Sequence, residues 1–274
     1  MLIRNLISSD INIIVCVHTT DNYILDFVHL FKNNNLIFVK DRINFNNYSN
    51  IKIINSNIND NGFFAGKCRD IGANDIIDKD ILFFDEDKIP SINPISKINE
   101  LKNIYDVIVF PVEVNDFRKI KFTEEHGLIP REYYNKESFI FTCGIYLKKE
   151  VIRDLRILNK GRIFHPIFDG IWGGDDDFLG DEILALGYKI GYIRDIVLSG
   201  KVTDGIVERP YELIESDKRR LYLRKALSPI FNESSDNKIE WGIRKINNLN
   251  EISEKLYLHY CNYIKLKVIK NYLL

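Results

Sequence analysis

The chain has 274 residues, of which 45% are hydrophobic, and a formal net charge of −1. That suffices for one α/β domain, or one domain with a tail. The near-neutral charge argues against a protein whose main work is coating nucleic acid, while leaving room for a local basic face. Cys16, Cys68, Cys143 and Cys261 are scattered, with no CxxC pair. Neither a zinc knuckle nor a disulfide framework is therefore expected, and reduced thiols in a cytosolic compartment are the simpler reading. The first ten residues lack the apolar core of a signal peptide. No run of about eighteen apolar residues occurs, so no transmembrane helix is expected. A cytoplasmic protein is predicted, with the periphery of a membrane as a second location.

Ile11 to Val17 reads as a buried strand. Thr19, Thr20 and Asp21 follow at its carboxyl end, and Tyr23 to Phe31 has helical apolar spacing. Leu36 to Val39 is a second strand ending at Asp41, and Ile51 to Ile54 a third. The alternation fits a βαβ unit. Gly66 to Ile77 reads as a helix.

The next strand is the most informative stretch. In Ile81-Leu82-Phe83-Phe84-Asp85-Glu86-Asp87, four apolar residues run into three acids. Ligands of open α/β sheets bind at the carboxyl ends of strands. In a strand-end turn Asp85 and Asp87 can point the same way while Glu86 points elsewhere. Such a pair suits Mg²⁺ or Mn²⁺, which prefer oxygen ligands and keep positions for phosphate. The plain alternative is a solvated acidic turn; the strongly apolar strand before it and Pro90 closing it favour the metal site.

Val107 to Phe110 is another buried strand. Residues 113 to 137 are mixed and charged, an irregular excursion over the site. Phe139 to Tyr146 is apolar and aromatic, and Lys148 to Leu158 is helical. Trp172-Gly173-Gly174-Asp175-Asp176-Asp177 then opens a helix to Leu186, with Gly187 as its C-cap. Acids at a helix start favour the dipole, but only one residue is the N-cap. The glycines let backbone approach a ligand, and Trp172 offers a flat face for a sugar ring. A carboxylate here could act as general base, its pKa raised by like-charged neighbours. Tyr188 to Ile193 returns as a strand. From about Thr203 the sheet pattern fades, and Ile252, Leu256, Tyr260, Ile264 and Val268 form a helical i,i+4 stripe.

Three segments carry a resemblance. Lys67-Cys68-Arg69-Asp70-Ile71-Gly72-Ala73 followed by Ile81 to Pro90 resembles the Arg-Asn-x-Gly helix and D-x-D strand of glycosyltransferases. Trp172 to Asp177 resembles the Trp-Gly-Gly-Glu-Asp motif of β-1,4-galactosyltransferases and of bacterial chain-extending glycosyltransferases. Phe141-Thr142-Cys143-Gly144-Ile145 stands where that family has a glycine-bearing strand facing acceptor and donor sugar.

The resemblance implies an α/β GT-A fold, Rossmann-like with a mixed sheet, over residues 1–205. A helical extension, 206–274, would pack on it. It implies a hexosyltransferase using a nucleotide-sugar, a UDP-sugar by preference, with Mn²⁺ or Mg²⁺. Asp87 would be the main metal ligand, with Asp85 nearer the donor's ribose and sugar. Arg69 would lie by the diphosphate, and Thr19, Asp21 and Asp41 would border the base. Asp176 would be the catalytic base of a one-step inversion. Asp175 would bind hydroxyls, and Gly144, Trp172, Gly173 and Gly174 would line the substrate. Asp70 departs from the family's Asn. No late His occurs in Val197-Leu198-Ser199-Gly200-Lys201-Val202-Thr203-Asp204, so either Asp204 substitutes as a ligand or the metal has only Asp87 and the donor phosphates. His165 reads as structural or acceptor-side.

The acceptor would be a glycan, free or lipid-linked. Alternatives are a hydroxymethylated or glucosylated DNA base of viral type, a nucleotidyltransferase, and a non-catalytic sugar-binding module. His18-Thr19-Thr20-Asp21 is not the Gly-rich, basic phosphate loop a nucleotidyltransferase usually shows. The basic tail, with Arg219, Arg220, Arg224 and Lys225, is either a solvated face or a dock for a polyanionic acceptor.

Overall fold

A computed structural model of the chain describes residues 11–17, 23–40, 51–58, 64–110, 140, 142–171, 173–193, 195–199, 215–216, 218–220, 222–223, 232–233, 239–240 and 249–272. The strands are β1 (Ile11–Val17), β2 (Asn35–Lys40), β3 (Lys52–Asn55), β4 (Asp80–Asp85), β5 (Ile89–Pro90), β6 (Val107–Val109), β7 (Gly144–Leu147), β8 (Ile190–Tyr192), β9 (Leu198–Ser199), β10 (Asn232–Glu233) and β11 (Ile239–Glu240). The helices are α1 (Tyr23–Leu30), α2 (Ala65–Ala73), α3 (Ile95–Leu101), α4 (Lys149–Leu158), α5 (Asp175–Ala185) and α6 (Leu249–Tyr272).

Seven strands form one sheet in the order β3-β2-β1-β4-β7-β6-β8. β1 is parallel to β2 and β4, and β2 to β3. β7 runs antiparallel to β4 and β6, and β6 is parallel to β8. The mixed sheet flanked by helices is the predicted architecture.

Alternation along the strands divides the core between two faces. Ile81 and Phe83 pack with Ile14, Cys68, Leu155 and Ile183, on the side of α2, α4 and α5. Leu82 and Phe84 pack with Val15, Phe27, Phe31 and Ile98, on the side of α1 and α3. Both faces are covered, so β1, apart from the buried Asn12, and Ile81–Phe84 of β4 read as near-continuous apolar runs rather than alternating ones. Burial of each large side chain is worth about 1.5–3 kcal/mol.

The predicted helix to Ile77 ends at Ala73. Arg156 of α4 donates to the carbonyls of Ala73 at 2.5 Å and Ile76 at 2.6 Å, which satisfies the helix end. Gly72 lets α2 lie directly on the sheet, because a Cβ there would come within 2.6 Å of Val39 and 2.7 Å of Ile14. Pro90 belongs to a two-residue strand, with Ile89 and Pro90 paired to Ser199 and Leu198. The turn after the acidic strand is thereby tied to the segment that follows β8.

In the C-terminal region, Ile252 and Leu256 of α6 pack with Leu158, Phe168, Phe178 and Leu223. Of the predicted stripe, Tyr260 packs at the edge of this cluster and Ile264 is exposed. Among the described residues no helix is long and apolar enough to cross a membrane. The excursion 113–137 lies outside the described residues.

Candidate active site

β4 ends at Asp85, beside Cys16 of β1. The chain then turns: Glu86 N–H donates to the Cys16 carbonyl at 3.1 Å, and Lys88 N–H to the Asp85 carbonyl at 3.1 Å. The Asp85 and Asp87 side chains each keep 27% exposure, while Glu86 is buried. Both aspartates thus stay part-exposed at the turn, and Asp85 is near enough to act on the Asp87 charge. The Lys88 ammonium donates to Asp87 Oδ2. Burial pushes the Asp87 carboxyl above its ordinary range; Lys88 opposes that push and Asp85 adds to it.

α2 supplies the next layer. Arg69, only 3% exposed, donates from Nη2 to Asp85 Oδ1 at 2.5 Å, and its Nη1 lies 3.8 Å from Asp175 Oδ2. Burial works against its charge, but Asp85, Asp176 and Asp175 outweigh that and hold it as a cation. The guanidinium lies over the Phe164 ring, 5.7 Å from its centre. Asp70, the neighbour of Arg69, points to a different segment. Its Oδ1 accepts N–H of Ile163 at 2.7 Å, and its Oδ2 accepts Arg162 Nε at 2.7 Å. Arg162 in turn grips Asp169 with both terminal nitrogens, at 2.7 and 2.9 Å. This network bolts residues 162–169 to α2. Burial raises Asp70 to about 6, against the pull of Arg162.

The second acidic cluster opens α5, and its acids turn to separate partners. Asp175 faces Arg69, and Asp177 lies 3.7 Å from Arg220. Asp176 accepts the Thr142 hydroxyl on Oδ1 and Thr142 N–H on Oδ2 at 3.4 Å. Burial raises the Asp176 carboxyl to about 7; Asp175 adds to the rise, while Arg69 and Thr142 oppose it. Gly173 and Gly174 have φ of 80° and 82°, a left-handed turn into the helix that favours glycine. A Cβ on Gly174 would also meet Ser216 at 2.7 Å, so this glycine serves packing against the chain itself.

Several expectations change. Gly144 lies inside the sheet opposite Phe84, and a Cβ there would lie 2.2 Å from Leu198 and 3.4 Å from Phe110. Its smallness is required for packing against Leu198 and Phe110. His165 is buried, accepts Ile167 N–H on Nδ1 at 3.2 Å and packs edge-on against Phe178 and Tyr260. Burial lowers it to about 3, so it is a neutral structural residue. Arg219 is 4% exposed and donates to the Ile167 carbonyl at 2.5 Å. Arg220 holds the fully buried Asp181 through two bonds, at 2.7 and 3.0 Å. Neither is a free docking charge. Thr19, Asp21, Asp41, Trp172, Asp204, Arg224 and Lys225 lie outside the described residues.

Sequence reasoning missed Arg162 and Asp169 as neighbours of the site. Thr142 and Lys88 lay inside the segments that carry the resemblance but were given no role of their own, and Asp70 stood out as the departure from the resembled motif.

The residues fit a hard divalent ion. Asp85 and Asp87 are part-exposed oxygen donors at one turn, and Asp87 already draws a cation in Lys88. Among the described residues no third His, Cys, Asp or Glu joins them as a metal-holding group. Such an ion would take its remaining ligands from substrate oxygens and water. Arg69 Nε is a buried donor without a hydrogen-bond partner among the described residues, a donor left over for an anionic ligand.

This mixed sheet, with carboxylates at the end of its fourth strand and a second acidic helix start beside them, is the GT-A fold of nucleotide-sugar glycosyltransferases. The structure of S. aureus TarS residues 1–349 in complex with UDP-GlcNAc is similar over 79% of this chain and 66% of that one, with a TM-score of 0.51 at 14% identity. The longer S. aureus TarS structure matches over 79% of this chain and 39% of that one, with a TM-score of 0.50 at 13% identity. The chain thus spans just under two thirds of the shorter TarS structure. No protein-family model matches the sequence, and no curated protein matches it by sequence.

Proposed function

We propose that the protein is an inverting, metal-dependent glycosyltransferase that moves a sugar from a UDP-sugar to an acceptor hydroxyl on a glycan. One observation carries this reading. The buried Arg69 reaches both Asp85, in the donor-type motif, and Asp175, in the acceptor-type motif. Two carboxylate clusters far apart in sequence thus form one site at the carboxyl end of the sheet, where ligands of such folds bind. The UDP-GlcNAc held by the TarS structure supports a UDP-sugar as the donor class.

In this mechanism Asp87 and Asp85 would hold a divalent ion, Mn²⁺ or Mg²⁺. When bound, that ion offsets the charge of the departing diphosphate. Arg69 fixes Asp85 in place and opposes the upward push that burial gives the Asp175 carboxyl. Asp176, its pKa near 7, takes the proton from the acceptor hydroxyl as that oxygen attacks the anomeric carbon. Asp175 is the poorer base, because its carboxylate is tied to Arg69. Attack opposite the leaving group inverts the anomeric carbon.

The test is UDP-sugar hydrolysis with and without Mn²⁺, in wild type and in Asp87→Ala. Hydrolysis that needs the metal and is lost in Asp87→Ala supports the assignment. Metal-independent hydrolysis, or an unaffected variant, overturns it.

A further inference from the structure

The segment leading into β7 touches both halves of the site. The Cys143 carbonyl accepts Asp85 N–H at 3.4 Å, so residue 143 is joined to the end of the acidic strand. Thr142, one residue earlier, is 1% exposed and donates its hydroxyl to Asp176 Oδ1. Its backbone N–H approaches Asp176 Oδ2 at 3.4 Å. A threonine hydroxyl has one proton to give, and a carboxylate oxygen can accept more than one hydrogen bond.

We propose that Thr142 is a positioning residue for the base: its hydroxyl on Oδ1 and its backbone N–H on Oδ2 hold the Asp176 carboxylate in the orientation that takes the acceptor proton. This rests on Asp176 being the base of the reading above. The geometry gives Thr142 two anchors on one carboxylate, which fixes rotation about the Cβ–Cγ bond of Asp176. A carboxylate left free to rotate meets the acceptor in its productive orientation less often, and orientation is a large part of what an active site supplies. Thr142 cannot itself drift, because the chain on its far side enters β7, whose Gly144 and Ile145 pair with Phe84 and Phe83. The contact is absent from the sequence motif because it joins residues 34 positions apart.

The other charges facing Asp176 are Asp175 on its own helix, Arg69 on α2 and Asp85 on β4, with the Cys143 thiol beside Thr142. None of these is altered by replacing Thr142 with valine, which keeps the shape and removes the hydroxyl. A hydrogen bond to an ionised group favours that form, so its loss moves the Asp176 titration upward.

The experiment compares Thr142→Val and Thr142→Ser with wild type, and repeats Thr142→Val in an Asp176→Asn background. Three readouts are taken: kcat against KM for transfer, UDP affinity in Mn²⁺ by calorimetry, and the Asp176 carboxyl titration by carbon NMR. Thr142→Val should lower kcat by about 10- to 100-fold, the worth of one hydrogen bond to a charged group. UDP affinity should hold. Thr142→Ser should restore most of kcat, and Thr142→Val should cost nothing further once Asp176 is Asn. The titration of Asp176 should move up in Thr142→Val and back in Thr142→Ser. Equal losses in both backgrounds, or a fall in UDP affinity matching the fall in kcat, would make Thr142 a packing residue and overturn the proposal. If wild type transfers no sugar, the functional reading fails by itself. The NMR titration then still decides the link: an unmoved Asp176 in Thr142→Val overturns it.

Discussion

Arg69 Nη2 lies 2.5 Å from Asp85 Oδ1, deep enough that Arg69 keeps only 3% exposure. The pair joins α2 to the tip of β4. The same guanidinium stands 3.8 Å from Asp175 at the start of α5. One cation thus faces carboxylates from two motifs. Take it away and several acids are left together in a poorly solvated space.

Arg69→Met should therefore destabilise the fold as well as the site. Removing one partner of a buried ion pair costs about 3–5 kcal/mol, because the other charge stays buried. Arg69→Lys should recover little, since a single ammonium lacks the guanidinium fork that reaches two carboxylates. Urea unfolding monitored by circular dichroism measures both. A loss below about 1 kcal/mol in Arg69→Met would mean that the acids find other partners or protons.

The basic tail makes a different prediction from the one its composition suggests. Arg220 is the bidentate partner of Asp181, a carboxylate with no exposure. Arg220→Gln should lower stability by about 3–5 kcal/mol. Arg219→Gln should also lower the melting temperature, through loss of its bond to the Ile167 carbonyl. Neither change should alter the salt concentration at which the protein leaves a heparin column. Earlier elution without any loss of stability would restore these residues as docking charges.

How far the sequence could be read follows from where the contacts lie. β1 and β4 were legible because strands covered on both faces favour near-continuous apolar runs, and Ile13–Val17 and Ile81–Phe84 are such runs. α3 carried a signal that was passed over: Ile95, Ile98 and Leu101 recur at helical spacing just after Pro94. β5 and β9 have two residues each, too short for any periodicity. The acids at 85, 87, 175 and 176 stood out because charge after an apolar strand or at a helix start is visible locally. Their partners did not. Asp70 with Arg162, Thr142 with Asp176 and Arg220 with Asp181 are joined by the fold alone. Counting charges along the tail shows its sign and hides the fact that Arg219 and Arg220 are already engaged.

Glu182 gives a prediction about pH and stability. It is fully buried in α5, with Asn159 Nδ2 3.2 Å from Oε2. Burial pushes its carboxyl well above the usual 4.5; the Asn159 bond opposes this and Asp181 adds to it. The folded protein thus holds this proton at pH values where the unfolded chain has released it. Stability from this group is full below the unfolded pKa and is lost as pH rises toward the folded one. Glu182→Gln removes the titration and keeps the shape. Its melting temperature should exceed that of wild type at pH 8, with the gap closing toward pH 4.5. A variant less stable than wild type at pH 8 would show that Glu182 is ionised and well paired.

Asp176→Asn tests the proposed base, and two measurements make it specific. General-base catalysis is worth about 10²–10⁴-fold, so kcat should fall by at least the lower figure while UDP affinity in Mn²⁺ stays put. In wild type, kcat should rise with pH through an apparent pKa near 7, the value to which burial and Asp175 raise Asp176. That limb should be missing from what activity remains in Asp176→Asn. The same shift has a stability consequence of known sign. The folded state holds a proton that the unfolded chain gives up near 3.8, so the ionised base costs stability above pH 7. Asp176→Asn should then be the more heat-stable protein at pH 8 and lose that advantage by pH 4. An inactive variant that is also less stable at pH 8 would point to a structural carboxylate. If Asp175→Asn abolished turnover while Asp176→Asn kept it, the base would be the residue beside Arg69. The fold would then have placed its strongest cation against its own catalyst, and the assignment of these two neighbours would have to be exchanged.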